Sequence, residues 1–167
     1  MRYLIATVFL AASVALGTGA ASAASVAERA EAARPMSINE LFKLYHNRSW
    51  IWGRGAGFMA NSKRRFTSII SVREGKYGEG NWYLPGKGKM CFRAIWHGGG
   101  GSARAVTCFS HHIAGRRIYQ RREPDGEWYI FKNNPTRMKD EIRKVRYGDY
   151  VQHRLKKVLK KKRNTSR

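Results

Sequence analysis

Lys89–His97 (KMCFRAIWH), Gly98–Gly101 (GGGG) and Ser102–His111 (SARAVTCFSH) run without a break, and the fold follows from how the two flanking segments pair. Each alternates small or apolar residues with polar ones, the period of a half-buried strand. Four glycines between them form a turn. A hairpin centred on those glycines sets Trp96 opposite Ala103, Ala94 opposite Ala105, and Phe92 opposite Thr107. Cys91 then faces Cys108. Directly opposed residues lie ~4.5–5.5 Å apart at Cα, which is disulfide range. One face carries Met90, Phe92, Ala94, Trp96 and Phe109, expected in the core. The other carries the cysteines with Arg93, Arg104, His97 and Ser110, so the bridge is expected to pin register on the more polar face. These are the only two cysteines. A redox-active pair or a metal site is the alternative, but neither C-x-x-C nor zinc-ligand spacing is present.

The same texture extends outward from Arg48 to Lys132. Strands are predicted at Ser49–Gly53, Gly57–Ala60, Arg65–Arg73, Gly80–Leu84, Lys89–His97, Ala103–His111, Arg117–Arg122 and Glu127–Phe131. Glycine and proline turns separate most of them. The expected class is mainly β: a small antiparallel meander or barrel-like curled sheet, since closure removes exposed edges. A short helix precedes it, from Ile38 to about His46. Ser37 and Glu40 form its capping box, Met36 and Leu41 occupy the staple positions, and Ile38, Leu41, Phe42 and Tyr45 face the core. A basic helix follows, from Tyr150 to about Lys161, with Asp149 as its cap and Val151, Leu155, Val158 and Leu159 as its stripe. Residues 135–147 stay open between helix and strand. Met138, Ile142 and Val145 have helical spacing, but Gly148 interrupts.

The domain plan has four parts: a signal peptide (1–23), a loose mature N-terminus (24–36), a helix plus β domain (37–134), and a basic C-terminal helix and tail (135–167). The leader reading rests on Arg2, the apolar run Tyr3–Leu16, and Ala21-Ser22-Ala23, an A-x-A site predicting cleavage after Ala23. That apolar run is shorter than the roughly 20 residues a spanning helix needs, and no transmembrane segment is expected in the mature chain. The predicted location is periplasmic or secreted, where disulfides persist.

Thirty-three Lys and Arg stand against eleven Asp and Glu, a formal net charge of +22. A body this cationic attracts polyanions. The densest part is the end: Lys156, Lys157, Lys160, Lys161, Lys162 and Arg163 are the candidate polyanion-binding residues. Outside the cytoplasm the candidate partners are lipopolysaccharide, anionic lipid, acidic polysaccharide and extracellular DNA. Trp50 and Trp52 share one strand face and are a candidate aromatic face, with Arg54 and Lys63–Arg65 nearby in sequence.

Catalytic signatures are weak. No H-E-x-x-H, G-x-S-x-G or P-loop occurs, so no catalytic residue, metal or cofactor is assigned. Glu74 and Glu79 are the sole acids between Arg48 and Arg122. Their loop setting suits glycosidase chemistry poorly. His111 and His112 point to opposite faces of a strand and are expected to be a solvent-exposed strand-end pair.

Read in order, Ser37–Tyr45 (SINELFKLY), Ser49–Phe58 (SWIWGRGAGF), Gly80–Leu84 (GNWYL), Gly88–Trp96 (GKMCFRAIW), Thr107–Phe109 (TCF), Ile118–Arg121 (IYQR) and Gly126–Phe131 (GEWYIF) resemble bacterial secreted proteins grouped as domain of unknown function 995, found largely in rhizobia and related alphaproteobacteria. The family's two cysteine phrases align with Cys91 and Cys108. It has no established activity, so the resemblance implies no catalytic residues. The expected function is an exported, non-enzymatic envelope or extracellular binding protein whose basic surface engages an anionic polymer or surface. The alternatives are a module that captures or inhibits an envelope protein, and a periplasmic hydrolase using Glu74, Glu79 or a histidine.

Overall fold

The computed structural model describes residues 23–165; the leader reading, apart from Ala23, therefore lies outside the described residues. Capping chemistry sets both N-terminal helices. In α1 (Val26–Glu31) the Ser25 hydroxyl accepts from the Glu28 amide, and the Glu28 carboxylate accepts from the Ser25 amide. Segment 24–36, expected to be loose, is therefore ordered. Ala30, Ala33 and Met36 are buried, and β1 (Arg34–Pro35) pairs with a later strand. The composition missed this because short alanine-rich segments look alike whether or not a sheet covers them. In α2 (Ile38–Tyr45) Ser37 and Glu40 form the predicted box. Met36, Leu41 and Tyr45 enter the core, whereas Ile38 is 47% exposed rather than core-facing.

Eight strands then run as an antiparallel meander: β2 (Arg48–Trp52), β3 (Gly55–Met59), β4 (Arg65–Ser71), β5 (Lys76–Gly86), β6 (Lys89–Gly98), β7 (Gly101–Ala114), β8 (Arg117–Arg122) and β9 (Tyr129–Lys132). The segment left open between helix and strand forms a 3-10 turn, Glu141–Lys144, and then β10 (Val145–Tyr147). β10 returns to pair with β2, setting Val145 opposite Trp50. The sheet thus continues past the expected boundary at 134. Met138, placed by its spacing on a helix, is 83% exposed in the preceding loop. The strand path ends in β10 on one side and β9 on the other, with the 3-10 turn packed against β9 and β2. The architecture is a mainly β, curled half-barrel with short flanking helices.

The hairpin register is the one derived from the glycine turn: Cys91↔Cys108, Phe92↔Thr107, Ala94↔Ala105 and Trp96↔Ala103. The Cys91–Cys108 disulfide is formed, with Cα atoms 4.1 Å apart. It sits on the outer face, as expected, yet Cys91 is only 1% exposed. Met90 and Phe92 are buried on the concave face, Trp96 and Phe109 are half-buried there, and Arg93 and Arg104 are exposed. Tyr45, Trp50, Met59, Phe66, Trp82 and Phe131 complete the inner core.

The inner aromatics need room, and glycines opposite them supply it. Gly78 pairs with Trp96, and a Cβ on Gly78 would lie 2.7 Å from the Trp96 ring. A Cβ on Gly57 would meet Phe66 at 2.9 Å and Trp52 at 3.0 Å. Both glycines let large rings lie against the opposing backbone.

Outside, α3 (Gln152–Thr165) lies over the convex face. Asp149 Oδ1 accepts from the Val151 and Gln152 amides and fixes its start. Val151, Leu155 and Val158 pack with Ala56, Ile69 and Tyr77. Leu159, expected in the same stripe, is 41% exposed, and the helix continues through the basic run beyond its predicted end at Lys161.

The disulfide closes a separation of 17 residues, so Cys91→Ser is expected to lower unfolding stability by ~3 kcal/mol. Peptide mapping of the oxidised protein, with chemical denaturation of both forms, checks pairing and magnitude; two free thiols would refute the pairing.

Candidate functional site

The concave face of the half-barrel holds a cavity of about 330 Å³ lined by Trp50, Trp52, Phe92, Trp96, Thr107, Phe109, Arg122 and Glu141. Strand alternation puts these side chains together. Trp50 and Trp52 are two apart on β2, Phe92 and Trp96 four apart on β6, and Thr107 and Phe109 two apart on β7. Each set therefore points one way. Arg122 joins them because it pairs with Phe109 across β7 and β8.

The rings contact one another as well as the space between them. Trp50 meets Phe109 edge-on with centroids 4.9 Å apart, and Phe92 stacks on Phe66 at 4.3 Å. Trp50 is held at its polar end too, since its Nε1–H donates to Glu141 Oε1 at 2.8 Å. The other Glu141 oxygen accepts from Lys144 at 2.6 Å. Each Glu141 oxygen thus has a protein partner. Arg122 differs: its guanidinium has no hydrogen-bond or ion-pair partner among the described residues, and the residue is exposed at the cavity rim.

Behind the Trp50 wall lies a polar cluster that the strand pattern did not announce. His111 is fully buried, against the expectation of a solvent-exposed pair, because Tyr45 of α2, Gln120 of β8 and Phe131 of β9 pack around it. Its Nε2 lies 2.7 Å from Tyr45 Oη and 2.6 Å from Gln120 Nε2. Gln120 Nε2 donates to Tyr45 Oη at 2.9 Å, and Tyr129 Oη donates to Gln120 Oε1. Burial pushes the imidazole down to about 3 and raises the Tyr45 phenol well above its ordinary value. Both groups are therefore neutral at pH 7. His112, on the opposite face, is half-buried and hydrogen-bonds the Ala30 carbonyl at 2.7 Å. One sign was present in sequence: Tyr45 on the core stripe of a helix and His111 on the core parity of β7 are polar groups that need partners once buried.

The sequence candidates separate spatially. Trp50 and Trp52 lie on the concave face and line one cavity. Arg54 stands in the β2–β3 turn, where its carbonyl accepts from Arg154 of α3. Lys156, Lys157, Lys160, Lys161 and Arg163 are exposed on α3, across the sheet from the cavity. Lys156, Leu159, Lys160 and Arg163 line one surface depression there. Glu74 is paired with Lys76 at 2.6 Å in the β4–β5 turn. Glu79 lies on the outer face between Thr67 and Ile95, in a depression shared with Arg93 and Arg104. Among the described residues no group of three His, Cys, Asp or Glu is placed to hold a metal, and no helix is long and apolar enough to cross a membrane.

A curled antiparallel half-barrel with an aromatic cavity and a cationic helix on its back defines the class. The chain belongs to the family described as protein of unknown function (DUF995), whose model matches residues 12–151. No curated protein and no solved structure matches the chain.

The buried imidazole links stability to pH. The unfolded histidine takes up a proton near pH 6.5, whereas the folded one does so only near 3. Between these values the unfolded state binds more protons, so its contribution falls as pH falls, by up to about 1.4 kcal/mol per pH unit. Urea unfolding from pH 7 to 4 is expected to show that slope in the wild type and a shallower one in His111→Gln; equal slopes would remove His111 as the cause.

Proposed function

We propose that this is an exported, non-enzymatic binding protein of the cell envelope or its surroundings, whose basic surface engages an anionic polymer or surface. The observation that carries the reading is the division of α3 into two faces. Val151, Leu155 and Val158 dock the helix on the convex sheet, which leaves Lys156, Lys157, Lys160, Lys161 and Arg163 exposed. Cations at a helix C-terminus also interact well with its dipole, so their position costs the fold little. Leu159 is exposed among Lys156, Lys160 and Arg163. An apolar side chain ringed by cations suits an anionic lipid or lipopolysaccharide, where charge and acyl surface adjoin, better than acidic polysaccharide or DNA. The formed disulfide and the leader-like first residues support export, and the net charge of +22 supplies long-range attraction.

The test is a variant with Lys156, Lys157, Lys160, Lys161 and Arg163 all changed to Gln. Cosedimentation with phosphatidylglycerol vesicles at low salt should weaken by more than about tenfold, at roughly 1 kcal/mol per cation near the surface. Binding of the unmodified protein should fall steeply with added salt. Equal binding by both proteins would reduce the basic helix to a solubility feature.

A further inference from the structure

The concave cavity is chemically unlike the basic helix and lies on the opposite face of the sheet. Five of its lining side chains are aromatic: Trp50, Trp52, Phe92, Trp96 and Phe109. Their positions are built rather than incidental. Trp96 lies against Gly78, Trp52 against Gly57, and Trp50 is tied through its indole N–H to Glu141. A volume of about 330 Å³ is at the lower end for small-molecule sites. On the same concave face, Ala103, opposite Trp96, and Ala105, opposite Ala94, are exposed.

Charge at the rim selects the occupant. The Glu141 charge is paired with Lys144, and its other oxygen accepts from Trp50. The Arg122 guanidinium has no partner among the described residues and lies beside Phe109 on the same inner face. A guanidinium fork pairs best with a carboxylate, with which it makes two parallel hydrogen bonds. Indole and phenyl walls favour ring systems, which stack or meet them edge-on, over flexible chains that lose rotamer entropy on confinement.

We propose that this cavity binds a compact aromatic carboxylate, with its rings among Trp50, Trp52, Trp96 and Phe109 and its carboxylate on Arg122. Thr107, at mid-wall, adds a hydroxyl able to meet a polar ring substituent.

Three probes test this on the full-length protein by titration calorimetry and tryptophan fluorescence: 2-naphthoate, its uncharged analogue 2-naphthamide, and decanoate, which keeps the charge and lacks the rings. The expected result is saturable one-to-one binding of 2-naphthoate with a change in tryptophan emission, and at least about tenfold weaker binding of the other two. Arg122→Gln, a change at an exposed position, should weaken 2-naphthoate by about tenfold and leave 2-naphthamide unaltered. Thr107→Phe, which fills the space, should abolish both while circular dichroism shows an unaltered fold. The proposal is overturned if 2-naphthoate shows no saturable binding, if decanoate binds as well or better, or if Arg122→Gln affects the two naphthyl probes equally. The five-fold Gln variant of the basic helix should still bind 2-naphthoate, and Arg122→Gln should still bind vesicles. Failure of the helix reading and failure of the cavity reading are thereby separate results.

Discussion

The antiparallel register of β6 against β7 is the constraint on which the other features rest. A shift of one residue would turn one strand over relative to the other. Were β6 to slip, Phe92 and Trp96 would turn outward and Arg93 would turn into the core. The disulfide removes that freedom, since Cys91 and Cys108 meet only in the observed pairing. Neighbouring strands inherit the parity. Trp82 faces Phe92 from β5, and Arg122 faces Phe109 from β8. The composition of the cavity is therefore a consequence of one hairpin's alignment.

Curvature is the second ingredient. A flat sheet with these side chains would present an aromatic surface to water. Glycine at 57 and 78 lets Trp52 and Trp96 lie close to the opposing backbone, so the concave face closes around rings instead of being propped open by them. The N-terminal elements cover the lower part of this face. Met36, Leu41 and Tyr45 pack into it, and Tyr45 completes the polar cluster around His111 and Gln120. A buried cluster of this kind is stable because its members are neutral and bonded to one another, whereas a charged imidazole there would lack solvation.

Inside and outside also differ in electrostatic character. The concave face holds few charges, one neutralised by Lys144 and one unpartnered at the rim. The convex face carries α3 with its exposed cations. A sheet one residue thick keeps these environments separate, so a small amphipathic anion and an extended anionic surface would engage opposite sides of the protein without competing.

Local physics made much of this readable from residues alone. Period-two alternation and glycine turns marked the strands from Arg48 to Lys132; the glycine-centred hairpin set the Cys91–Cys108 pairing; and Ser37 with Glu40 announced α2, since a capping box is satisfied within four residues. Tertiary structure decided what depends on long-range contact. Segment 24–36 became ordered because β7 offered an edge to Arg34 and Pro35, and Tyr119 of β8 packs against Ala30. Residues 145–147 became a strand because β2 lacked a partner. Ile38 and Leu159 matched apolar periodicity yet remain exposed, because a short helix touches the sheet along a narrower line than its stripe spans. His111, expected at the surface, is buried because Tyr45, Gln120 and Phe131 from three other elements close around it. Only the curl of the sheet brought Trp50 and Trp52 to the same space as Trp96, Phe109 and Arg122, because strand parity specifies a face and not how far that face bends back on itself.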